Sequence, residues 1–588
     1  MYNKPMKFLE LAKYLQRLEE TPKRLEMTTI LSELIKELSP EEIDIALYLS
    51  LGYLKAPFAT PKFNMAERML LRVLAEASNK SIEDIDALYG KSGDMGTTFF
   101  ELAPKQTSDI SITEVHKLLM EIAETEGTGS QEIKVTKSAN LLKDIDKVSG
   151  KFVVRIILGT TRLGFTELTI IDALAQFLGD KSLKAQIEQK YNEHPDIGKI
   201  AKVIKEKGIE GLQKVTIVPG TPILLQRAQR VKSFEEVLER MKEATLEYKF
   251  DGTRVQLHLD KNIKEISKNN SLFENTEETY LTKTFTRNLE ETTNMYPDIT
   301  QGAIDQLNVE SVILDGEAIG YNPTTGVFLP FQEMMQRKRK HGVSEMAKEI
   351  PLKYFVFDIL YLNGKSLMNE PLTKRREYLQ KIIKPGKVIE QTKHVETTNT
   401  EELYEYFEDA KTKGLEGLIA KNPEDIYQAG ARSYSWIKLK VADQKLMADS
   451  VDCVILGYYN GKGTRAKFGI GGLLLGVYDP ETDSFKTVSK LGTGLTEQEL
   501  EDIKAICDKN KISAPIKNVV MSKMFIPDVY VNPSIILEVG ADEVTKSPSH
   551  SAGYALRFPR LLKIRTDKSA TQTTTVKEIE DMYINKRN

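Results

Sequence analysis

Lys249 lies in the run Glu247-Tyr248-Lys249-Phe250-Asp251-Gly252-Thr253-Arg254, a Lys-x-Asp-Gly tetrad behind an apolar strand start. An unprotonated amine at such a place can attack the α-phosphorus of a nucleotide and hold it as a phosphoramidate. That chemistry needs partners: cations around the phosphates, carboxylates for a divalent metal, and a grip on a larger substrate. Three specified residues arise by chance in roughly a tenth to a fifth of chains of this length, so the tetrad counts only with its context. The competing reading is a solvated lysine on a hairpin, with Gly252 supplying the turn.

The context is an ordered series of short segments, each placing a polar residue at a strand end or turn. They are Phe285-Thr286-Arg287-Asn288, Leu314-Asp315-Gly316-Glu317, Val356-Phe357-Asp358, Leu415-Glu416-Gly417-Leu418-Ile419-Ala420-Lys421 and Trp436-Ile437-Lys438-Leu439-Lys440, with Arg565-Thr566-Asp567-Lys568 near the end. Rival phosphate sites are missing. A P-loop has a glycine five positions before the Gly of Gly-Lys-Ser/Thr. Gly90-Lys91-Ser92 and Gly364-Lys365-Ser366 have Ile85 and Ile359 there. No Gly-x-Gly-x-x-Gly follows a strand, so a dinucleotide fold has no support.

The elements that carry these residues change along the chain. Residues 1 to about 215 read as helical. Ser39-Pro40-Glu41-Glu42, Ser81-Ile82-Glu83-Asp84 and Ser111-Ile112-Thr113-Glu114 open helices. Val153 to Leu178 holds two apolar helical stretches broken at Gly164, and no fixed repeat period is present. Val218-Pro219-Gly220-Thr221-Pro222 marks a linker, and Ser233-Phe234-Glu235-Glu236 caps a further helix. Val255, Leu257 and Leu259 then alternate with polar residues as in a strand. Val312-Ile313-Leu314 before Asp315-Gly316, and Tyr354 to Asp358, read as buried strands entering turns. Helical stretches near 367–383 and 400–413 alternate with them. From about 443 the chain is β-rich with one helical patch at 498–508, which fits a small barrel such as an OB-fold.

The ordered series resembles that of the covalent nucleotidyltransferases, and the whole chain resembles the ATP-dependent DNA ligases of the archaeal and eukaryotic replicative type. The N-terminal likeness includes Ile156-Ile157-Leu158-Gly159 and Arg162-Leu163-Gly164; the C-terminal one includes Leu556-Arg557-Phe558-Pro559-Arg560 and Arg565 to Lys568. Read without a eukaryotic-style regulatory extension before the helical region, the chain is expected to fit the archaeal form best, with some bacterial chains similar. The resemblance implies an all-α DNA-binding domain over 1–220, an α+β adenylation (nucleotidyltransferase) domain over 221–442 and an OB-fold β-barrel domain over 443–588. It implies ATP as nucleotide donor, Mg2+ as metal, and Lys249 as the nucleophile. It places Glu247 at the adenine edge, Phe357 on the base, and Glu317 and Glu416 near ribose and metal. Arg254, Arg287, Arg432, Lys438 and Lys440 become phosphate-side cations, and Arg565 and Lys568 meet the pyrophosphate. Cations beside Lys249 disfavour its ammonium form and so favour the nucleophile. The chain departs from the family pattern twice. Extra polar residues around Asn269 to Glu278 suggest a surface hairpin between Arg254 and Arg287. At the hinge, Ala442 stands where an aspartate is usual, with Asp443 next to it.

Composition bounds the rest. A chain of 588 residues exceeds one core, and 40% hydrophobic with 28% charged residues is ordinary for a soluble protein. The start leads into a charged amphipathic helix and no apolar run spans a bilayer, so a cytoplasmic monomer without membrane contact is expected. Two cysteines and six scattered histidines exclude a cysteine zinc site. That argues against NAD as the donor, since the NAD-type enzymes carry such a site. The net charge of −3 does not announce nucleic acid, and the runs Arg337-Lys338-Arg339-Lys340 and Lys374-Arg375-Arg376, taken alone, read as solvated faces. Nicked double-stranded DNA is the expected partner. Thr97-Thr98-Phe99-Phe100 has the paired aromatics of a sliding-clamp peptide without its glutamine, and a core or capping role for Phe99 and Phe100 competes with it. An RNA ligase or capping enzyme, and a non-catalytic DNA-binding relic, are the alternatives. The large helical region opposes the first, and the intact Lys249, Glu317, Glu416 and Lys438 oppose the second.

Overall fold

The computed structural model describes residues 5–104, 106–231, 233–267, 277–329, 331–334, 337, 346–347, 349–440, 450–461, 463–492, 494–515, 517–541 and 543–585. The expected hinge at Ala442 and Asp443, most of the insertion around Asn269, and Lys338, Arg339 and Lys340 lie outside the described residues. Met1–Leu88 and Met95–Leu439 form one compact unit; Tyr89–Asp94 and Lys440–Asn588 form a second. No helix among the described residues is long and apolar enough to cross a membrane.

The first unit begins with helices from Phe8–Glu20 to Ile197–Lys207, as expected. Ser111 starts its helix: its hydroxyl accepts from Glu114 N at 3.2 Å and the Glu114 carboxylate accepts from Ser111 N at 2.9 Å. Ser39 does not start one at once. The helix runs from Ile43, after a turn over residues 40–42; Ser39 O accepts from Ile43 N at 3.1 Å, and the Glu42 carboxylate accepts from the Ser39 hydroxyl at 2.9 Å and from Met6 N at 2.8 Å. The break near Gly164 is longer than one glycine, with Gly159, Arg162 and Gly164 at φ 69, 59 and 74°. Helix Met95–Leu102 presses on helix Lys147–Ile157 through Phe99, whose ring fills the space a Cβ of Gly150 would take. Phe99 is 3% exposed, and Phe100 lies under Lys147 with its ring centroid 4.3 Å from the amine. The core role therefore holds for Phe99.

Two sheets follow. The first has the order β1 (Arg227–Arg230), β11 (Arg432–Lys440), β10 (Gly417–Lys421), β2 (Ala244–Lys249), β9 (His394–Thr397). The second runs β4 (Glu277–Thr286), β3 (Thr253–Ser267), β5 (Ser311–Gly320), β6 (Leu352–Leu362), β7 (Lys365–Ser366), with β8 (Ile389–Gln391) parallel to β6. Val255, Leu257 and Leu259 enter the core below helices Pro297–Gln306 and Leu372–Ile382. The polar face of β3 is buried too, because the linker zips onto it. Gln256 binds both backbone groups of Ile223, at 2.8 and 3.1 Å, and His258 Nδ1 accepts from Gly220 N at 3.1 Å. Burial pushes the His258 imidazole down to about 3, so it stays neutral there.

β5 and β6 run on where turns were expected. Asp315-Gly316 lies inside β5, since the Tyr354 ring sits over Gly316 and leaves no room for a Cβ. β6 likewise continues through Asp358 to Leu362.

In the second unit β12 (Val451–Tyr459) pairs with β13 (Gly472–Asp479) along one side. On the other it pairs first with β18 (Ile536–Gly540) and then with β17 (Val529–Val531). β14 (Ser484–Leu491), β15 (Lys511–Ile512), β16 (Val519–Val520) and β21 (Arg560–Arg565) extend this curled sheet, and β19 (Glu543–Lys546) pairs with β20 (Tyr554–Arg557). Strand pairing does not close a ring among the described residues. The expected helical patch is Glu497–Lys509, capped by Thr496 and packed into the core through Leu500, Ile503 and Cys507.

Phe99→Ala is expected to cost about 3–5 kcal/mol, as for a buried aromatic in a tight helix crossing. Thermal melting of the full chain checks it; a shift no larger than that of an exposed Leu25→Ala control would remove Phe99 from the core.

Candidate active site

β2 ends at Lys249 and runs antiparallel to β10, which starts just after Glu416. Glu416 N donates to Lys249 O at 3.0 Å, and the Lys249 ammonium donates to the Glu416 carboxylate. Each side chain keeps about a fifth of its surface open, at 22%. On the other sheet β3 and β5 pair so that Arg254 stands opposite Glu317. Gly252 joins the two edges, because any Cβ there would overlap Ala318 O on β5. Its role is close strand approach, and its φ is not positive, so nothing at Gly252 favours the competing reading in which it only supplies a hairpin turn.

Arg254 forks onto Asp315 with bonds of 3.0 and 2.6 Å and donates to Gln226 O at 2.7 Å. Asp315, fully buried, also accepts from the Tyr427 hydroxyl at 2.8 Å. The guanidinium stands 5.4 Å from the Phe357 centroid and 5.3 Å from that of Trp436. Phe357 and Trp436 meet edge to face at 5.8 Å, making an aromatic wall beside the cations.

Behind that wall lies a buried ion cluster. Glu247 accepts from Arg376 at one oxygen and from Lys421 at the other, the latter at 2.8 Å. Lys421 also donates to Phe357 O at 3.0 Å and lies 4.6 Å from the centre of the Phe357 ring. Burial lowers its pKa, against the pull of Glu247. The neighbouring Arg375 forks onto Asp358 at 2.6 and 3.1 Å. The run Lys374-Arg375-Arg376 is therefore no solvated face, since its two arginines turn inward to carboxylates. Arg337 behaves likewise, 1% exposed and forked onto Asp298 at 2.8 and 3.0 Å.

An accessible amine, two carboxylates, an arginine and an aromatic wall suit attack on a nucleotide's phosphate. Residues 225–440 match the family model for the ATP dependent DNA ligase domain, residues 7–175 that for the DNA ligase N terminus, and residues 466–568 that for the ATP dependent DNA ligase C terminal region. A probable DNA ligase of Dictyoglomus turgidum is 42% identical across 98% of this chain and 97% of its own. DNA ligase 2 of Korarchaeum cryptofilum is 38% identical, covering 98% and 97%. The chain belongs to the ATP-dependent DNA ligases. A solved structure titled Pmar-Lig_PreS3 shares the fold, with a TM-score of 0.58 at 17% identity over 94% of this chain and 99% of that one.

The remaining cations of this ligase fall into two groups. Arg287, just past β4, lies near Arg254, Arg227 and Arg432; burial and those three charges lower its pKa. No carboxylate pairs with it among the described residues. Strand alternation puts Lys438 and Lys440 of β11 on the side that carries Trp436. Arg565 and Lys568 sit in the second unit. There Asp452 accepts from both, and Arg565 also pairs with Asp567 at 2.7 Å. Sequence reading missed Asp315, Tyr427, Trp436, Arg227, Arg376 and Lys421 as site residues. Asp315, Trp436 and Lys421 lay inside the quoted segments, and Arg376 inside a basic run whose inward turn no local pattern announces.

Among the described residues no three His, Cys, Asp or Glu gather as a metal cage. Magnesium needs none, since it takes one or two carboxylates and completes its shell with phosphate and water oxygens. Glu317 fits that use. Burial pushes its carboxyl up to about 7, Glu416 and Asp315 add to the rise, and Lys249 and Arg254 oppose it. A divalent cation would relieve this crowding of carboxylates.

In metal-free buffer Glu317 is expected to make stability fall as pH rises from its ordinary 4.5 to about 7. Over that window the folded state holds a proton that the unfolded chain has lost, so raising pH favours unfolding. Urea midpoints at pH 5 and pH 8 should differ less in Glu317→Gln than in the wild type. An unchanged difference would contradict the shift.

Proposed function

We propose that Lys249 is the nucleophile of nick sealing in duplex DNA. The carrying observation is its amine, held by Glu416 at the open end of β2, with Arg254 and Glu317 paired on the adjoining strands. Lys249 Nζ, its proton passed to the Glu416 carboxylate that accepts from it, attacks the α-phosphorus of ATP, the bond from that phosphorus to the bridging oxygen of the β-phosphate breaks, and pyrophosphate leaves. The 5′-phosphate of the nick then attacks that phosphorus and frees the lysine. Finally the 3′-hydroxyl attacks the 5′-phosphate, and AMP departs.

Phe357 serves as the base platform and Glu247 as the base edge. Arg254, Arg287, Arg432, Lys438 and Lys440 face the phosphates, and Arg565 and Lys568 serve the pyrophosphate. Glu317 and Glu416 would hold Mg2+, which when bound supplies charge neutralisation at the phosphates. The limits 1–220, 221–442 and 443–588 describe a DNA-binding, an adenylation and an OB-type domain. The last is supported by the curled antiparallel sheet around β12 and by helix Glu497–Lys509. The protein acts as a monomer on nicked duplex. A clamp peptide at Phe99 and Phe100 would require the helix Met95–Leu102 to leave its core.

Incubation with α-labelled ATP and magnesium should leave label on the denatured wild-type chain and none on Lys249→Ala. Label surviving on that variant moves the nucleophile elsewhere. Arg565→Ala and Lys568→Ala should slow self-adenylation at least ~10-fold more than sealing of a pre-adenylated nick. Equal losses in both assays remove the pyrophosphate role.

A further inference from the structure

Arg376 is almost fully buried, yet no step above uses it. It donates to Glu247 Oε1, and to Thr392 O and His394 Nδ1 at 2.8 Å each. Lys421 takes the other Glu247 oxygen at 2.8 Å. We infer that Arg376 is a positioning residue for base choice: with Lys421 it makes Glu247 a hydrogen-bond acceptor only, which selects a purine with an amino group at C6 over one with a keto group there. The inference rests on Glu247 being the base-edge residue.

The chemistry follows from the donor and acceptor inventory. An ionised carboxylate offers only acceptors, whereas a protonated carboxyl also donates. Adenine presents an N6 amino donor where guanine presents the O6 acceptor. A Glu247 bracketed by two cations matches the first and repels the second. Without Arg376, a buried carboxyl facing one cation is easier to protonate. Its new O–H then suits guanine O6. The same helix, Leu372–Ile382, fixes the platform as well, because Arg375 clamps Asp358 next to Phe357. Edge and platform thus hang on consecutive residues of one helix, and Lys421 ties them again through Phe357 O.

The test compares self-adenylation by α-labelled ATP and α-labelled GTP on the full chain, as kcat/KM for each. Arg376→Met is expected to lower the ATP-to-GTP ratio at least ~10-fold, with Arg376→Lys restoring most of it. Arg376→Gln, which keeps donors without charge, should lower the ratio too and serves if the Met variant does not fold. A structural role alone would slow both nucleotides together. Unfolded molecules drop out of the ratio. Glu247→Gln separates the layers, because its amide can donate and should itself admit GTP. A changed ratio in Glu247→Gln with an unchanged one in Arg376→Met and Arg376→Gln overturns the inference and leaves the base-edge reading standing. An unchanged ratio in Glu247→Gln overturns that reading and the inference with it.

Discussion

The Glu247 carboxylate sits between two β-sheets, and much of the site depends on its having company there. A lone buried charge is too costly to keep, so each oxygen faces a cation, Arg376 on one side and Lys421 on the other. Those two partners come from different directions. Arg376 belongs to a helix packed on the β6 side, and Lys421 ends β10 beside β2. Meeting at Glu247 ties the strand that ends in Lys249 to the strand that carries Phe357. Arg254 with Asp315 makes a second tie through Gln226 O and the Tyr427 hydroxyl.

Buried ion pairs of this kind add little to net stability, but removing one partner is expensive. Their value lies in geometry. A nucleophile and a base platform, the roles proposed for Lys249 and Phe357, must keep their spacing to well under an ångström for attack to be efficient. Apolar packing between sheets tolerates sliding, whereas a buried carboxylate held by a cation at each oxygen does not. The open groups are placed differently. Lys249 and Glu416 remain partly exposed at strand ends, where a substrate can reach them.

Legibility in the sequence followed the range of the interaction. The helices before residue 208, the Ser111 and Ser233 caps and the alternation of Val255, Leu257 and Leu259 are local, and the structure has them. The ordered segments around Lys249, Glu317, Phe357, Glu416 and Lys438 were legible for another reason, as a series in one order along the chain. Expectations failed where a distant group competed. Glu42, read as reaching back to the Ser39 backbone, instead divides its carboxylate between Met6 N and the Ser39 hydroxyl, and the helix runs from Ile43. Asp315-Gly316 has turn composition, but the Tyr354 ring and Arg254 hold it in a strand. Arg375 and Arg376 look solvated until Asp358 and Glu247 are brought to them.

The sequence by itself determined which side chains are candidates for the chemistry: the lysine proposed as nucleophile, its carboxylates and its cations, picked out by residue type and order along the chain. It also determined the succession of a helical, a mixed and a β-rich region, because periodicity and caps act within a few residues. Only the tertiary structure decided which charges are spoken for. Arg254 is bound to Asp315, Glu247 to Arg376 and Lys421, and Gly252 serves strand approach. The physical reason is that pairing of a buried charge depends on groups far off in sequence, and no local pattern records who will arrive.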